Sequence, residues 1–518
     1  MVFSFRKWIF FLVFCCILPV SSGYTTETAP SFPAIKTPSV HLILDALSGQ
    51  AVSWTVPAEI PENLVSPAGN QMVTGGFIAG KKLKEWADKA GGWKAPASSE
   101  NEVLLRLGGD GIPFVLEQLW RAGDHAGSLK LEIRLQSLAS IGKPDLFLVM
   151  GPGIGSRPVS GLGMADGLYS YTEAIFKNKR GIHTLRAENS GERHSLDLPE
   201  EIVWAGLHSR YFAMIVKPQS PFAEYRIETP ESPLFFPDAP SFESKLYLSL
   251  PFSSMEENES RTFTLEIFSG GKSWNLLKEN QLQDILFSSL WQWMRLLVLG
   301  MMHLLYAIHG LVMNWGVSIL ILALLVRLAI HPVAKKAMES QRRFAELQKE
   351  MKPRIRAIKE KYRGGEQSER ILHVYERYGV SPLAGLKPLV IVGIQIPVFI
   401  ALFHLLGQAF ELRSAGFLWI TSLSEPDRLF SFGRDLPFFG TCFNLLPLLM
   451  SLTNLLSIKF SPAPADTEKS TWKNKAGLIL LALGFFLLFY SFPSGMVLYW
   501  TMANLLHLAH TLWIRKTV

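Results

Sequence analysis

Residues 314–332, NWGVSILILALLVRLAIHP, constrain this chain more than any other stretch. They are apolar enough to form a membrane helix, yet they carry a fixed positive charge at Arg327. An Arg at the centre of a membrane helix costs about 2.5–3.5 kcal/mol on insertion scales. At 1.5 Å per residue, Arg327 lies about 18 Å along the helix from Trp315. In a hydrocarbon core about 30 Å thick, that leaves it about 10 Å short of the far surface. The charge needs the interface, an acidic partner or a wet cavity. Snorkelling to headgroup phosphates is one solution.

The chain has 518 residues, a net charge of +7 and 48% hydrophobic residues, and the apolar runs gather after Leu286. That balance suits a membrane protein with basic loops. Residues 1–23 read as an export signal, cleaved or kept as an anchor: Arg6 and Lys7, then an apolar run short for a span, then Pro19 and small residues. The three cysteines supply no disulfide framework for an exported region.

Residues 24–275 are polar and turn-rich, with runs of period two. Leu129, Leu131, Ile133 and Leu135 alternate with Lys130, Glu132 and Arg134; Leu246, Leu248 and Leu250 alternate with Tyr247 and Ser249, and Phe263, Leu265 and Ile267 with Thr264 and Glu266. One buried and one wet face explain the alternation. Residues 145–150 and 204–217 are continuously apolar, as in strands covered on both faces. The expectation is an exported β-sandwich-type domain with a short helix over 81–90. The Gly-rich run 151–156 is not followed by a helix that could hold a phosphate, so it reads as a turn. His194, Ser195 and Asp197 fit no triad spacing. No His/Cys cluster suggests a metal, and nothing calls for a cofactor or an enzyme's catalytic residues.

Residues 276–313 form a linker and an apolar helix carrying Arg295, His303 and His309. With no hydrophilic turn before the next apolar run, it reads as an amphipathic helix on the outer interface, with a true span as the competing reading. Residues 314–518 then hold five expected spans, at 315–332, 389–409, 437–458, 476–492 and 495–514, making an all-α membrane core. The loops 334–387 and 459–475 and the C-terminus are rich in Lys and Arg, whereas 411–435 is nearly balanced. The positive-inside rule therefore puts the basic loops and the C-terminus in the cytoplasm. Within 334–379, Phe344, Leu347, Met351, Ile355, Ile358 and Tyr362 make one apolar stripe. Gly364-Gly365 gives a turn, and Ile371, Val374, Tyr375 and Tyr378 continue the stripe, so a helical hairpin is expected. Its Arg342, Arg343, Lys352, Arg354 and Arg356 suit anionic lipid or a docking partner.

Leu320, Ala323, Leu324, Arg327 and His331 share a helix face. Gln395, Asn444, Asn454 and Asn504 add polar groups to other spans, and no Asp or Glu lies within the five spans. A cation with polar neighbours and no acid suits a water-filled, inward-open groove. A solute transporter or channel is the rival reading, but no internal repeat divides the five spans.

Four spaced stretches carry a resemblance: NWGVSI…LLVRLAIHP at 314–332, SPLAGLKPLVIVGIQIPVFIALF at 381–403, ELRSAGFLWITSLS at 411–424 and FPSGMVLYWTMANLL at 492–506. Around a basic hairpin and after an exported domain, they resemble the YidC/Oxa/Alb family of membrane protein insertases, in its Gram-negative form with a large periplasmic domain. The resemblance implies an inner-membrane, multi-pass insertase and chaperone. Its partners would be nascent membrane proteins, membrane lipids, the Sec translocon, and a ribosome or targeting factor at the hairpin, with no direct nucleic-acid contact. It implies that Arg327 and Gln395 line a substrate groove, with Asn444, Asn504, Tyr499 and Trp500 as further lining residues. The sequence departs from the family at Ala323, where a hydroxyl is common, and at Tyr499-Trp500, where Tyr-Tyr is common.

Overall fold

The computed structural model describes residues 33–45, 48, 50–56, 62–63, 71–151, 154, 172–185, 193–196, 201–228, 245–379, 381, 388–436, 439–460 and 472–517. The expected signal at 1–23, most of the 151–156 turn, Asp197 and most of the 459–475 loop fall outside them.

The N-terminal part is β-rich, built as two antiparallel sheets. One orders its strands Ala34–Lys36, His41–Asp45, Gln50–Val56, Gln71–Ile78, Asp145–Gly151, Lys245–Ser249, Glu224–Glu228 and Arg193–Leu196. The other runs Gly181–Leu185, Thr172–Asn178, Trp204–Ser209, Phe212–Pro218, Ser260–Gly271, Ser128–Ser137, Phe114–Ala122, Glu102–Leu107 and Lys94–Ser98. Alternation explains the core between them: Leu129, Leu131, Ile133 and Leu135 are fully buried while Arg134 between them is exposed. Helix α1, Leu83–Ala90, packs Trp86 edge-on against Phe114 and donates the indole N–H to the Ile78 carbonyl at 2.8 Å.

The continuously apolar run 204–217 folds as two paired strands joined through Arg210 and Tyr211. Its two faces have different neighbours. Ala205, Leu207, Phe212, Met214 and Val216 belong to the core between the sheets. Trp204, Ala213 and Ile215 belong to a second core shared with the helices that follow. The run lacks alternation because helices cover its outer side.

The C-terminal part is helical. Ser273 caps α2, Trp274–Glu279, through Oγ accepting from the Leu276 N–H. Helix α3, Gln292–Val312, buries Met294, Val298, Met302, Leu305 and Ile308 on one stripe and leaves Trp293, Leu296, Leu304 and Leu311 exposed. Met313 in the left-handed conformation ends it, and Asn314 caps the next helix by accepting from the Val317 N–H at 3.0 Å.

Helix α4, Trp315–Lys361, is a single 47-residue element. The chain does not break at Pro332, where the sequence reading ended its first span. A proline removes its own backbone donor and crowds the carbonyl four residues earlier, yet the helix continues through both Pro332 and Pro353. Helix α5, Gly364–Arg377, returns along the end of α4, with the Arg354 guanidinium over the Tyr378 ring. The anticipated stripe is legible there: Met351 is buried and Phe344, Leu347, Ile355 and Ile358 are half-buried. Helices α6 (Pro388–Gln408), α7 (Leu446–Phe460), α8 (Trp472–Phe489) and α9 (Ser494–Thr517) complete the described elements. The third expected span, 437–458, needs correction at its start. Phe430–Leu436 and Gly440–Phe443 pair as a two-stranded ribbon, and α7 begins only at Leu446. Asp427 sets that boundary, its Oδ2 accepting from the Leu445 and Leu446 N–H groups at 2.8 and 2.9 Å. Among the described residues, Gln292–Val312 and Trp315–Val333 are long and apolar enough to cross a membrane, while Gln395–Gln408 and Leu446–Ser457 are shorter apolar helices.

Candidate functional site: an arginine at the edge of the helical core

The helices are not packed evenly along their lengths. On α4, Ser318, Ile319, Leu322 and Ala323 are buried, as are Ala401, Leu402, Leu405 and Leu406 on α6, and Met496, Val497 and Tyr499 on α9. One turn further along α4 the pattern reverses: Leu324, Leu325 and Leu328 are exposed. Ile396 on α6, Leu452 on α7 and Leu505 on α9 are exposed likewise. The tight end lies against the loop 412–424, where Leu412, Ile420 and Leu423 are buried in the same core. The bundle is thus closed at the end nearer the sheets and loose at the end where α4 runs on toward α5.

Arg327 sits at that transition, half-buried. Its Nη2 lies 2.8 Å from Nδ1 of His507 on α9. A guanidinium has donors only, so the imidazole Nδ1 accepts and its proton is on Nε2. Tyr499, two turns earlier on α9, is buried. His507 did not figure in the sequence reading. A histidine in the last apolar segment was the available signal, and it lies eight residues after Tyr499, on the same face of a helix.

The other expected site residues are distributed differently. Gln395 is half-buried on α6 at the loosely packed end. Asn504 is half-buried on α9, one turn before His507, and its carbonyl accepts from Ser457 Oγ of α7 at 3.4 Å. Trp500 packs on Phe399 and Phe489, at centroid distances of 4.7 and 5.3 Å, and meets the Tyr499 ring edge-on at 6.1 Å. Asn444 is buried in another cluster. Its Oδ1 accepts from the Arg428 N–H at 3.0 Å and its Nδ2 donates to the Tyr490 carbonyl at 2.7 Å. Those bonds join the ribbon to the α8–α9 turn.

Of the basic residues on the α4–α5 arm, Arg343, Lys352, Arg354 and Arg356 are exposed; Arg342 lies in α4, and its side chain is outside the described residues. Arg356 pairs with Glu360 at 3.0 Å along the helix. At the turn, Gln367 Nε2 donates to the Tyr362 carbonyl at 2.6 Å and Arg370 stacks over the Tyr362 ring.

The β-rich part is fastened to the closed end of the bundle. Arg210 donates from Nε to the Gly407 carbonyl at 2.7 Å and from Nη2 to the Ser424 carbonyl at 3.2 Å. Phe212 meets Phe410 edge-on at 5.7 Å, and the Arg413 guanidinium covers the Phe212 ring. Behind Arg210, Lys272 Nζ lies 3.5 Å from His208 Nδ1, and His208 Nε2 lies 3.6 Å from Glu173 Oε2. On the other side of the joint, Lys177 pairs with Asp284 at 2.8 Å and, with Arg295, holds that carboxyl below the usual range. Among the described residues, no group of His, Cys, Asp and Glu could hold a metal ion.

Residues 307–518 match the family model described as 60Kd inner membrane protein. A membrane protein insertase YidC of Syntrophobacter fumaroxidans is 31% identical over 276 residues, which cover 52% of this chain and 47% of that protein. Another from Cupriavidus metallidurans is 26% identical over 423 residues, 80% of this chain and 68% of that protein. The match thus spans about half the length of the first relative. A crystal structure of an active YidC insertase with its first transmembrane domain resolved aligns with TM-score 0.34 and 15% identity, covering 93% of this chain and 94% of that one.

Proposed function

We propose that the chain is a membrane protein insertase of the YidC/Oxa type, a reading supported by the match of residues 307–518 to the family model described as 60Kd inner membrane protein. The polar end of a client enters a groove beside Arg327, and its apolar segment passes along the exposed faces of α4 and α6 into lipid. Gln395, Asn504, His507 and Tyr499 line the groove with Arg327; Asn444 and Trp500 serve as its structural surround. The groove opens toward the cytoplasm and is closed toward the exported β-domain. Residues 24–275 are that domain, 276–313 the interfacial linker, and 314–518 the five-span core with its cytoplasmic hairpin.

The observation that carries the reading is the pairing of Arg327 with a neutral histidine at the place where packing loosens. An arginine in an apolar helix with no carboxylate along α4, α6 or α9 of the span region needs water to keep its charge. The dense packing on one side of Arg327 and the exposure on the other support a cavity open at one end only. A groove of this kind shortens the hydrocarbon that a polar segment must cross. Burial of the client's apolar surface, about 25 cal/mol per Å², then drives release into lipid. For an acidic tail moving outward, the membrane potential adds about 2.3 kcal/mol per charge per 100 mV. No nucleotide or covalent step is required. The basic arm, through Arg342, Arg343, Lys352, Arg354 and Arg356, holds anionic lipid and receives a ribosome or targeting factor, and the core works alone or beside the Sec translocon.

The test is site-directed photocrosslinking in inverted membrane vesicles. A photoreactive residue at position 324 or 328 should capture the polar end of a short, acidic-tailed nascent membrane protein, and one at 319 or 402 should not. Equal capture at all four positions, or unchanged insertion after depletion of the protein, would overturn the reading. A lost solute flux with unchanged insertion would favour a transporter.

A further inference from the structure

The ribbon formed by Phe430–Leu436 and Gly440–Phe443 has one aromatic face. Phe430 stacks on Phe443 across the strands at 5.1 Å and meets Phe432 edge-on at 5.5 Å. The face is open: Phe430 is 52% exposed and Leu429 beside it 41%. A two-stranded ribbon is marginal in water on its own, and three clustered phenylalanines make solvent a poor environment for this one.

Its position says what covers it. The foot of the ribbon is tied into the membrane helices. Tyr490, at the end of α8, donates its hydroxyl to the Cys442 carbonyl at 3.0 Å and accepts from the Asn444 N–H at 3.1 Å. Phe439 packs edge-on against Tyr490 at 5.0 Å and lies 6.4 Å from Phe486, one turn down α8. Helix α8 itself exposes Ile479, Leu480, Leu483 and Leu487, the surface that an inner membrane protein turns to lipid. Phe439 therefore extends a lipid-facing surface up into the ribbon. Polar groups lie on the remaining sides: Ser431 and Arg434 are exposed, and Arg428 pairs with Glu425 at 3.1 Å with both side chains partly in solvent.

We propose that this ribbon is a membrane-interface anchor. Its Phe430/Phe432/Phe443 face dips into the headgroup–acyl boundary of the leaflet nearer the β-rich domain, and Arg434 stays at phosphate level. Phenylalanines on the apolar face of an interfacial segment bury to that depth, and arginines reach phosphates from it. The leaflet follows from the chain: Asp427, at the start of the ribbon, accepts from the Trp419 indole at 3.0 Å, and Ser424 in the same loop is held by Arg210 of the sheets. The anchor rests on the chain being an inner membrane protein, which its match to the family model supports, and not on the insertase reading. It sets the height of the 412–424 loop that closes the bundle.

Spin-label accessibility tests it in the full chain, reconstituted in phosphatidylethanolamine–phosphatidylglycerol vesicles. Cys15, Cys16 and Cys442 are changed to Ser, and single cysteines are introduced as Phe432→Cys, Phe430→Cys or Arg434→Cys. The proposal expects oxygen collisions to dominate over those of a water-soluble nickel complex at 432, and the order to reverse at 434. Position 430, the more exposed, gives the same reading if Phe432→Cys does not fold. Dominant nickel collisions at 430 or 432 would place the face in water. A label shielded from both reagents would mean that protein, such as a second copy of the chain, covers it. Either result overturns the anchor.

Discussion

The guanidinium of Arg327 donates to Nδ1 of His507 at 2.8 Å, joining helices that stand 180 residues apart in sequence. The acceptor must be an unprotonated ring nitrogen, because arginine offers no lone pair in return. Replacing His507 with Leu removes that acceptor, and His507→Lys puts a second cation against the first. A hydrogen bond involving one charged group contributes about 1.5–3 kcal/mol, so His507→Leu should lower the thermal midpoint of the core and weaken insertion of clients with polar tails. His507→Lys should do so more severely, and His507→Gln, which keeps an acceptor, should fall near the parent. Thermal scanning and an in vitro insertion assay check the order; equal behaviour of Leu and Gln variants would remove the hydrogen bond from the account.

Arg210 makes a second long connection. Two carbonyls, Gly407 at the end of α6 and Ser424 in the closing loop, depend on it. Arg210→Ala should cost about 2–4 kcal/mol, the sum of two charge-assisted bonds discounted for a partly solvated site. The loss should appear as faster hydrogen exchange at 407–424, with the strands 114–122 and 128–137 unchanged.

Much of this architecture was legible beforehand, and the reasons differ by element. Strand alternation at 129–135 exposed its buried face because only one side is wet. The run 204–217 announced burial on both sides but could not say that the second cover is a helical core, since that partner lies beyond residue 273. The apolar run ending at Pro332 marked the end of the first span, but nothing in it showed that the same helix goes on beyond. The start of α7 was placed too early because Pro437, the phenylalanines after it and Cys442 are as apolar as a span. The capping carboxylate that fixes the boundary, Asp427, sits 19 residues before the Leu446 N–H it accepts from. Arg327 stood out as a lone charge in an apolar run. His507 did not, because what makes it special is a neighbour brought in by the fold.

Gly271 and Phe410 form a close-packed pair across the joint between sheets and helices. A Cβ built on Gly271 would lie 2.4 Å from the Phe410 ring, so a side chain there must displace it. Gly271→Ala should destabilise by about 1–3 kcal/mol, the usual cost of overpacking. Phe410→Ala alone should also destabilise, by about 3–5 kcal/mol, through the cavity it leaves. The double variant should be less destabilised than the two single costs added, because the truncated ring makes room for the new methyl. Additivity in the unfolding free energies would show that the two residues do not share the strain.

Lys272 gives the joint a pH dependence. It is buried, and burial pushes its pKa down to about 7; Arg210 pushes the same way and Glu173 opposes. His208 beside it is also pushed down, by burial first and then by Lys272, again against Glu173. An unfolded lysine titrates at about 10.4. Between about pH 7 and that value the unfolded chain holds a proton that the folded one has released, so stability rises with pH across the window. Below about 7 the lysine is charged in both states and the full cost of burying it is felt. The depressed His208 acts with the same sign: as pH falls through its unfolded value of about 6.5, the unfolded chain gains the proton more readily and stability declines. The β-rich part should therefore hold to the helices more weakly at pH 6 than at pH 9. Lys272→Met should flatten the alkaline part of that rise while leaving the acidic part, which His208 carries. Other lysines titrate alike in both proteins, so the difference between the two stability–pH curves isolates Lys272. Parallel curves from pH 6 to 9 would mean that this lysine keeps its ordinary proton affinity in the folded chain.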